Sequence, residues 1–397
     1  MLIGVVGRTN TGKSTLFKAA TLAEVEIADR PFVTIKPSHG IGFVKVKCAD
    51  KDFNIECNPK NGFCLEGKRF VPIELLDVAG LIKGAHKGAG LGLQFLDDLR
   101  QADALIEVID VSGSTNDKGE PVSGDYNPEE DIKVLEEEVD MWFLGLIKKG
   151  WDKLARQIQQ EKQDVVKALA KQFSGLKVTE DMVEESIKEL SLSKEVTSWT
   201  DEDLKNLAIM LRKKSKPMII AANKIDLPGG KENFERIKKE FKDYEIIPCS
   251  AEFELALREA AKKGLINYVP GESNFEILKE GELSEQQKKA LDFIKKNVLD
   301  VYGSTGVQDV LDKAVFKLLK NIAVFPVANS KLEDKEGRKL PDCLLIPEDT
   351  TALDFAYRVH SDIGDNFVKA VDLRTKQVIG KESKLKDLDV IEIMVSK

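Results

Sequence analysis

Gly7-Arg8-Thr9-Asn10-Thr11-Gly12-Lys13-Ser14 decides the fold of this 397-residue chain. The octet follows a short apolar run, residues 2–7 (LIGVVG), and opens into a helical pattern from Ser14. Strand, glycine-bearing turn and helix are the arrangement in which successive backbone N–H groups wrap a phosphate. The helix N-terminus adds a favourable dipole for an anion. Lys13 is spaced to reach β- and γ-phosphates, and the Ser14 hydroxyl to take one Mg2+ position. Asn10, Thr11, Gly12 and Thr15 line the same cradle. The alternative, a chance glycine turn, does not account for strand and helix on both sides.

Outward from this turn, further strand-like runs fall at Ile41–Val46, Phe70–Leu76, Ala104–Val111, Pro217–Ala222 and Glu245–Pro248. Helical stretches separate most of them, which predicts an α/β P-loop NTPase fold with a doubly wound sheet. Its ligand should lie at the carboxyl ends of the strands. The alternation stops between Ser112 and about Lys216, where helical periodicity runs through Glu129–Phe173, Asp181–Leu190 and Asp201–Lys213. We expect a helical insertion there, with Gly113–Asn127 as a mobile leading loop. A second helical stretch is expected over Leu255–Lys320, clearest at Ser284–Asn297 and Val307–Leu319. From Asn321 short strands and turns take over. The expected domains are therefore 1–112 with 216–275 for the nucleotide, 113–215 inserted, 276–320 a helical extension packing on the first, and 321–397 a small α+β domain.

Four more segments carry nucleotide chemistry. Asp77-Val78-Ala79-Gly80 closes an apolar strand; a carboxylate there can hold Mg2+ through water. The Gly80 N–H can bond a γ-phosphate, so the loop after it senses that group. Asn223-Lys224-Ile225-Asp226 ends the run PMIIAA. Asp226 can accept both N1–H and N2–H of guanine, a pair that adenine lacks, and such buried readers reject the wrong base strongly. Lys224 would lay its stem over the base. Ser250 and Ala251, after the next strand, fit the loop whose backbone meets the guanine carbonyl. Thr34, in PFVTIKP, is the candidate for a threonine that closes on Mg2+ and γ-phosphate; its alternative is a plain loop threonine. GTP and GDP are thus the expected ligands.

Hydrophobic residues make up 42% of the chain and charged ones 32%, the balance of a soluble globular protein. No apolar run approaches the roughly 20 residues of a membrane span, and the N-terminus reads as a strand rather than a leader. A cytoplasmic monomer is expected. Cys48, Cys57 and Cys64 cluster in sequence but lack the close pair usual in zinc sites, so reduced cysteines in a hairpin and loop are the expectation. The net charge of −8 argues against a nonspecific nucleic-acid coat. Locally, residues 127–140 are strongly acidic, and Lys148, Lys149, Lys153, Arg156, Lys162, Lys167 and Lys171 recur in the insertion. That stripe suits phosphates of rRNA or tRNA, or simply a solvated helix face.

Gly7–Thr15, PFVTIKP and DVAGLIKGAHKGAGLGLQFL together closely resemble the Obg-related translation-factor GTPases, above all the YchF-like branch. LLIPEDTTALDFAYRVHSDIGDNFVKAV resembles a TGS domain, a ubiquitin-like module. The resemblance implies a Mg2+-dependent GTPase switch acting on the ribosome or a tRNA-bearing complex. The YchF core group replaces the guanine-reading aspartate by glutamate and accepts ATP; this chain keeps Asp226. An ATP-hydrolysing stress regulator is the runner-up, and a nucleotide-gated scaffold with negligible turnover the third reading. Leu81 stands where many small GTPases place a water-orienting glutamine, so slow intrinsic hydrolysis is expected. Two groups are candidates for filling the gap. His86 could position water, as the resemblance implies, or be a surface loop histidine. Asn10 could hold K+ against the phosphates or merely brace the loop.

Overall fold

The computed structural model describes residues 1–21, 38–78, 80, 84–87 and 97–396. Thr34, Leu81 and the glycines at 88, 90 and 92 lie outside them. Strands β1 (Leu2–Val6), β2 (Ser38–Lys47), β3 (Phe63–Leu65), β4 (Lys68–Asp77), β5 (Ala104–Asp110), β6 (Met218–Asn223) and β7 (Glu245–Pro248) form one sheet. Its order is β2-β4-β1-β5-β6-β7, with β3 hairpinned onto β4. β4, β1, β5, β6 and β7 pair in parallel along that path. Every residue of β1, β5 and β6 is buried, which is why these strands read as continuous apolar runs. The carboxyl ends of β1, β4, β5, β6 and β7 carry Gly7, Asp77, Asp110, Asn223 and Ser250 at or just beyond them.

α1 (Lys13–Thr21) follows the glycine turn. Between β5 and β6 come α2 (Glu129–Lys148), α3 (Trp151–Glu161), α4 (Val165–Gln172), α5 (Glu180–Glu189) and α6 (Asp201–Ser215). Side-chain caps start several of them. Asp164 accepts from Lys167 N, Thr179 from Met182 N, and Thr200 forms a reciprocal box with Asp203. The apolar stripes of α2 and α6 face each other over Leu135, Val139, Phe143, Leu204, Leu207 and Leu211. Trp151 stacks on Trp199 at 5.4 Å between ring centroids.

α7 (Gly230–Glu240) precedes β7, and α8 (Ala251–Lys262) follows it. The expected helical stretch from Leu255 then differs from what forms: β8 (Ile266–Tyr268) and β9 (Phe275–Ile277) make an antiparallel hairpin before α9 (Glu285–Ile294). Ile266 and Tyr268 are buried on either side of exposed Asn267, a two-residue period too short to stand out in sequence.

Two compact units result, Met1–Gly40 with Glu74–Val310 and Ile41–Ile73 with Leu311–Lys397. The sequence reading had placed Ile41–Ile73 with the nucleotide domain and residues 311–320 with a helical extension. Backbone contacts explain the difference. Asn58 N and Lys60 N donate to the carbonyls of Lys339 and Pro341 at 2.9 and 2.8 Å. The buried Arg69 guanidinium donates to Leu340 and Pro341 carbonyls at 3.0 and 2.9 Å. The second unit also holds β10 (Asn321–Val327), β11 (Leu344–Pro347), β12 (Phe367–Asp372), β13 (Gln377–Ile379) and β14 (Val390–Val395), in the order β11-β10-β14-β12-β13. β10 and β14 run parallel while the other pairs are antiparallel. The helix α10 (Ala352–Val359), boxed by Thr351 and Asp354, covers this sheet through Phe355. No helix among the described residues is long and apolar enough to cross a membrane.

Candidate nucleotide site

The glycine turn is fixed from behind by one asparagine. Asn223 Nδ2 donates to the Thr11 carbonyl at 2.8 Å, and its Oδ1 accepts from Ala251 N at 3.0 Å. The phosphate turn and the guanine loop are thereby joined through the end of β6. Gly12 has φ +91, and a Cβ there would stand 2.1 Å from Asn223 Nδ2. Only glycine lets the turn's backbone approach the Asn223 side-chain amide so closely.

Lys13, Ser14 and Asp77 converge at the phosphate end. Lys13 Nζ lies 2.7 Å from Asp77 Oδ1, and Ser14 Oγ donates to Asp77 Oδ2 at 3.2 Å. Asp77 is fully buried and Lys13 nearly so. A carboxylate beside a hydroxyl is an all-oxygen donor set, which fits a hard ion such as Mg2+. The ammonium at the same carboxylate marks the position where phosphate charge would be compensated. Gly80 lies beside Thr9 of the turn.

At the base end, Lys224 Nζ donates to Asp110 Oδ2 at 2.8 Å and Thr115 Oγ1 at 3.0 Å. Burial alone would raise the Asp110 carboxyl, but the Lys224 ammonium and the hydroxyls of Ser112 and Thr115 hold it below its ordinary range. Asp226 is partly exposed, and its carboxylate makes no hydrogen bond or ion pair among the described residues. Ser250 N is taken by the Thr305 carbonyl at 2.9 Å. Its buried hydroxyl has no partner among the described residues.

Two candidates for assisting hydrolysis are otherwise engaged here. Asn10 Nδ2 donates to the Gly119 carbonyl at 2.7 Å, tying the turn to the leading loop and leaving Oδ1 as its acceptor. His86 sits in a short 3-10 turn clamped to α2. Its Nδ1 lies 2.6 Å from Glu138 Oε2, its N–H donates to the same oxygen at 2.9 Å, and Gly84 N donates to Oε1 at 2.6 Å. Burial would raise the Glu138 carboxyl, but these two backbone donors and the imidazole hold it below the usual range.

The sequence reading missed Asp110, Ser112, Thr115 and Glu138. Asp110 had a legible sign, since it ends β5 as Asp77 ends β4. Glu138 had none. Also missed was Arg8, whose Nη2 reaches Asp131 Oδ1 of α2 at 2.5 Å while its guanidinium lies 4.4 Å above the Tyr126 ring.

A mostly parallel sheet that carries this glycine turn between β1 and α1 defines a P-loop nucleotide-binding protein. Residues 2–144 match the family model of the 50S ribosome-binding GTPase, residues 221–329 the Obg-like GTPase YGR210-like, G4 motif-containing domain, and residues 335–395 the TGS domain. An uncharacterized GTP-binding protein of Methanocaldococcus jannaschii is 49% identical over 99% of this chain and 98% of its own. The ribosome-binding ATPase YchF of Bacillus subtilis is 29% identical, covering 92% of this chain and 87% of that one. Among solved structures, a GTP-binding protein from Pyrococcus horikoshii superposes with a TM-score of 0.81 at 37% identity, both chains covered in full. The chain belongs to the Obg-related GTPases, in the YchF-like branch with a terminal TGS domain.

Proposed function

We propose that this chain binds Mg2+ with GTP, hydrolyses it slowly, and uses the nucleotide state to control its association with the ribosome or a tRNA-bearing complex. The observation that carries guanine over adenine is Asp226, a carboxylate just past β6 that is unengaged among the described residues, while its neighbours Asn223 and Lys224 are both anchored. The YchF relatives are named ribosome-binding ATPases, and that name supports a ribosomal partner while leaving ATP as the competing substrate.

Ser14 and Asp77 would hold Mg2+, with Thr34 as a third ligand. When bound, the ion would supply charge compensation for the phosphates. Lys13 leaves Asp77 for the phosphates, Gly80 N–H meets the γ-phosphate, and the backbone of Asn10, Thr11, Gly12 and Thr15 orients the chain of phosphates. Ser250 and Ala251 close over the base. Asn10 Oδ1 is the atom that would hold K+. His86 must leave Glu138 before it can position water, so the clamp keeps the unstimulated rate low.

Single-turnover hydrolysis of GTP and of ATP in K+ and in Na+ buffer, with and without ribosomes from the same source, tests this reading. Strong ribosome stimulation of GTP hydrolysis is expected. Equal rates with GTP and ATP would overturn the guanine assignment. No ribosome effect would overturn the partner, and equal rates in K+ and Na+ would remove the potassium site.

A further inference from the structure

Four side chains outside the nucleotide motifs converge between β2 and β4. Cys48 follows the last residue of β2, Asp50 opens a 3-10 turn, Cys57 lies in an irregular loop, and Cys64 is in β3. Their sulfur and carboxylate oxygen atoms all lie within 4.8 Å of one another. Among the described residues no other group of three or more histidine, cysteine or acidic side chains gathers this closely.

The fold, rather than sequence spacing, makes this group. Cys48 N donates to the Gly67 carbonyl at 2.9 Å, tying the end of β2 to the β3–β4 turn. That turn is the dipeptide Glu66-Gly67, with φ of 50° and 76°. Two residues with positive φ are the tight hairpin link that matches strand twist. It sets Cys64 opposite Arg69 in register. Asn54, left-handed at φ 51, closes the 3-10 turn, and Ile55 N donates back to the Asp50 carbonyl at 3.0 Å. The chain is thereby returned towards Cys48 with Cys57 on its inner side. An interior close pair of cysteines is therefore not needed to gather ligands.

We propose that Cys48, Cys57, Cys64 and Asp50 form a structural Zn2+ site. Tetrahedral zinc with Zn–S of about 2.3 Å and Zn–O of about 2.1 Å needs sulfurs roughly 3.8 Å apart and sulfur–oxygen separations of roughly 3.5 Å. Cys48 and Cys57 Sγ are 3.5 Å apart, and Cys64 Sγ is 4.0 Å from Asp50 Oδ2. Three thiols and one carboxylate are a soft, closed donor set that favours Zn2+ over Mg2+ or Ca2+.

The surroundings orient these ligands as outer-shell groups do in metal sites. Asp50 Oδ1 accepts from Lys51 N at 2.7 Å, which aims Oδ2 into the group. No lysine or arginine among the described residues pairs with the buried Asp50 carboxylate. Cys48 is fully buried, whereas Cys57 and Cys64 are half-buried and leave the ion a way in. Residues 55–62 have no regular structure, so the ion would fasten a loop that burial alone holds weakly.

The test is elemental analysis of the full chain, untagged and purified without chelator. About one zinc per chain is expected, released by a mercurial that caps thiols. Cys57→Ser and Cys64→Ser should lose most of it, and Asp50→Cys should retain it. If the serine variants fail to fold, Co2+ titration of the reduced wild-type chain decides, since tetrahedral thiolate ligation gives intense visible bands. A reduced chain that retains neither ion after desalting overturns the site. So does metal content that the serine variants leave unchanged, or a Cys48–Cys57 disulfide in freshly purified protein.

Discussion

At the scale of single residues, the most exposed claim concerns Asp226. Its carboxylate has no partner in the protein among the described residues, so its removal should leave folding untouched. In the complex it would accept two N–H groups, and losing a charged acceptor typically costs about 1.5–3 kcal/mol per hydrogen bond. Asp226→Ala should therefore weaken GTP about 100-fold or more while ATP affinity hardly changes, with the melting temperature of the free protein unmoved. Fluorescent nucleotide titration reads the first and calorimetry the second; a large drop in melting temperature would show that Asp226 is a fold residue instead. Glu107 is the opposite kind of carboxylate. It lies fully buried in β5, and burial first, then the charges of Asp131 and Glu136, push it well above its ordinary value, with Arg8 and Arg212 opposing. A carboxyl raised in the folded state gives its full stability below the unfolded value near 4.5, and that stability declines as pH rises above it. Glu107→Gln removes the decline. Its advantage over wild type in urea unfolding should grow from pH 5 to pH 8, and a difference flat with pH would refute the assignment.

At the scale of elements, α2 links the insertion to other parts of the unit, because four of its acids meet groups elsewhere. Glu129 pairs with Arg236, Asp131 with Arg8 of the glycine turn, Glu138 with the His86 turn and Asp140 with Arg212. The insertion is thus wired to both the phosphate turn and the loop beyond Gly80. Glu138→Ala should release the 84–87 turn at a cost of about 2–3 kcal/mol for the lost charge-assisted bonds. Hydrogen exchange at Gly84 and His86 should accelerate. Because the Glu138 carboxyl is lowered in the folded state, this contribution is full above the unfolded value near 4.5 and fades as pH falls through the folded one. Hydrolysis should rise several-fold in Glu138→Ala, and adding His86→Ala should cancel the rise; a rise that survives the second substitution would leave His86 without a part in the reaction. None of these pairings was legible in sequence. The acidity of 127–140 was visible, but which acid meets which base depends on how α2 crosses the sheet. By contrast the glycine turn, Asp77 and the Asn223–Asp226 segment were legible, because each is one contiguous stretch at a strand end and its chemistry needs no distant partner. The β8–β9 hairpin was hidden for a different reason: two three-residue strands carry too little alternation to be seen.

At the scale of the whole molecule, the surprise is that Ile41–Ile73 belongs with the terminal unit. A chain read from its N-terminus suggests one nucleotide domain up to the insertion, since the strands of β2 and β4 look alike along their length. The hydrogen bonds that recruit this segment span some 270 residues, from Arg69 to Leu340 and Pro341, and no local pattern encodes them. The two proposed ligands therefore fall in different units, nucleotide in Met1–Gly40 with Glu74–Val310, and zinc in Ile41–Ile73 with Leu311–Lys397. A ligand that binds only the folded form stabilises it by about 2.7 kcal/mol at 100 times its Kd. Saturating Mg2+ with GTP should slow exchange in β1, the glycine turn, β6 and the start of α8. Chelating zinc should quicken exchange first at Cys48–Gly67 and at Lys339–Pro341, which the same hydrogen bonds hold. Residue-resolved hydrogen exchange under the four combinations of ligand separates these effects. If chelation instead loosened the glycine turn as much as the cysteine loop, the metal would be serving the nucleotide site, and its assignment as a local fastening would have to be abandoned.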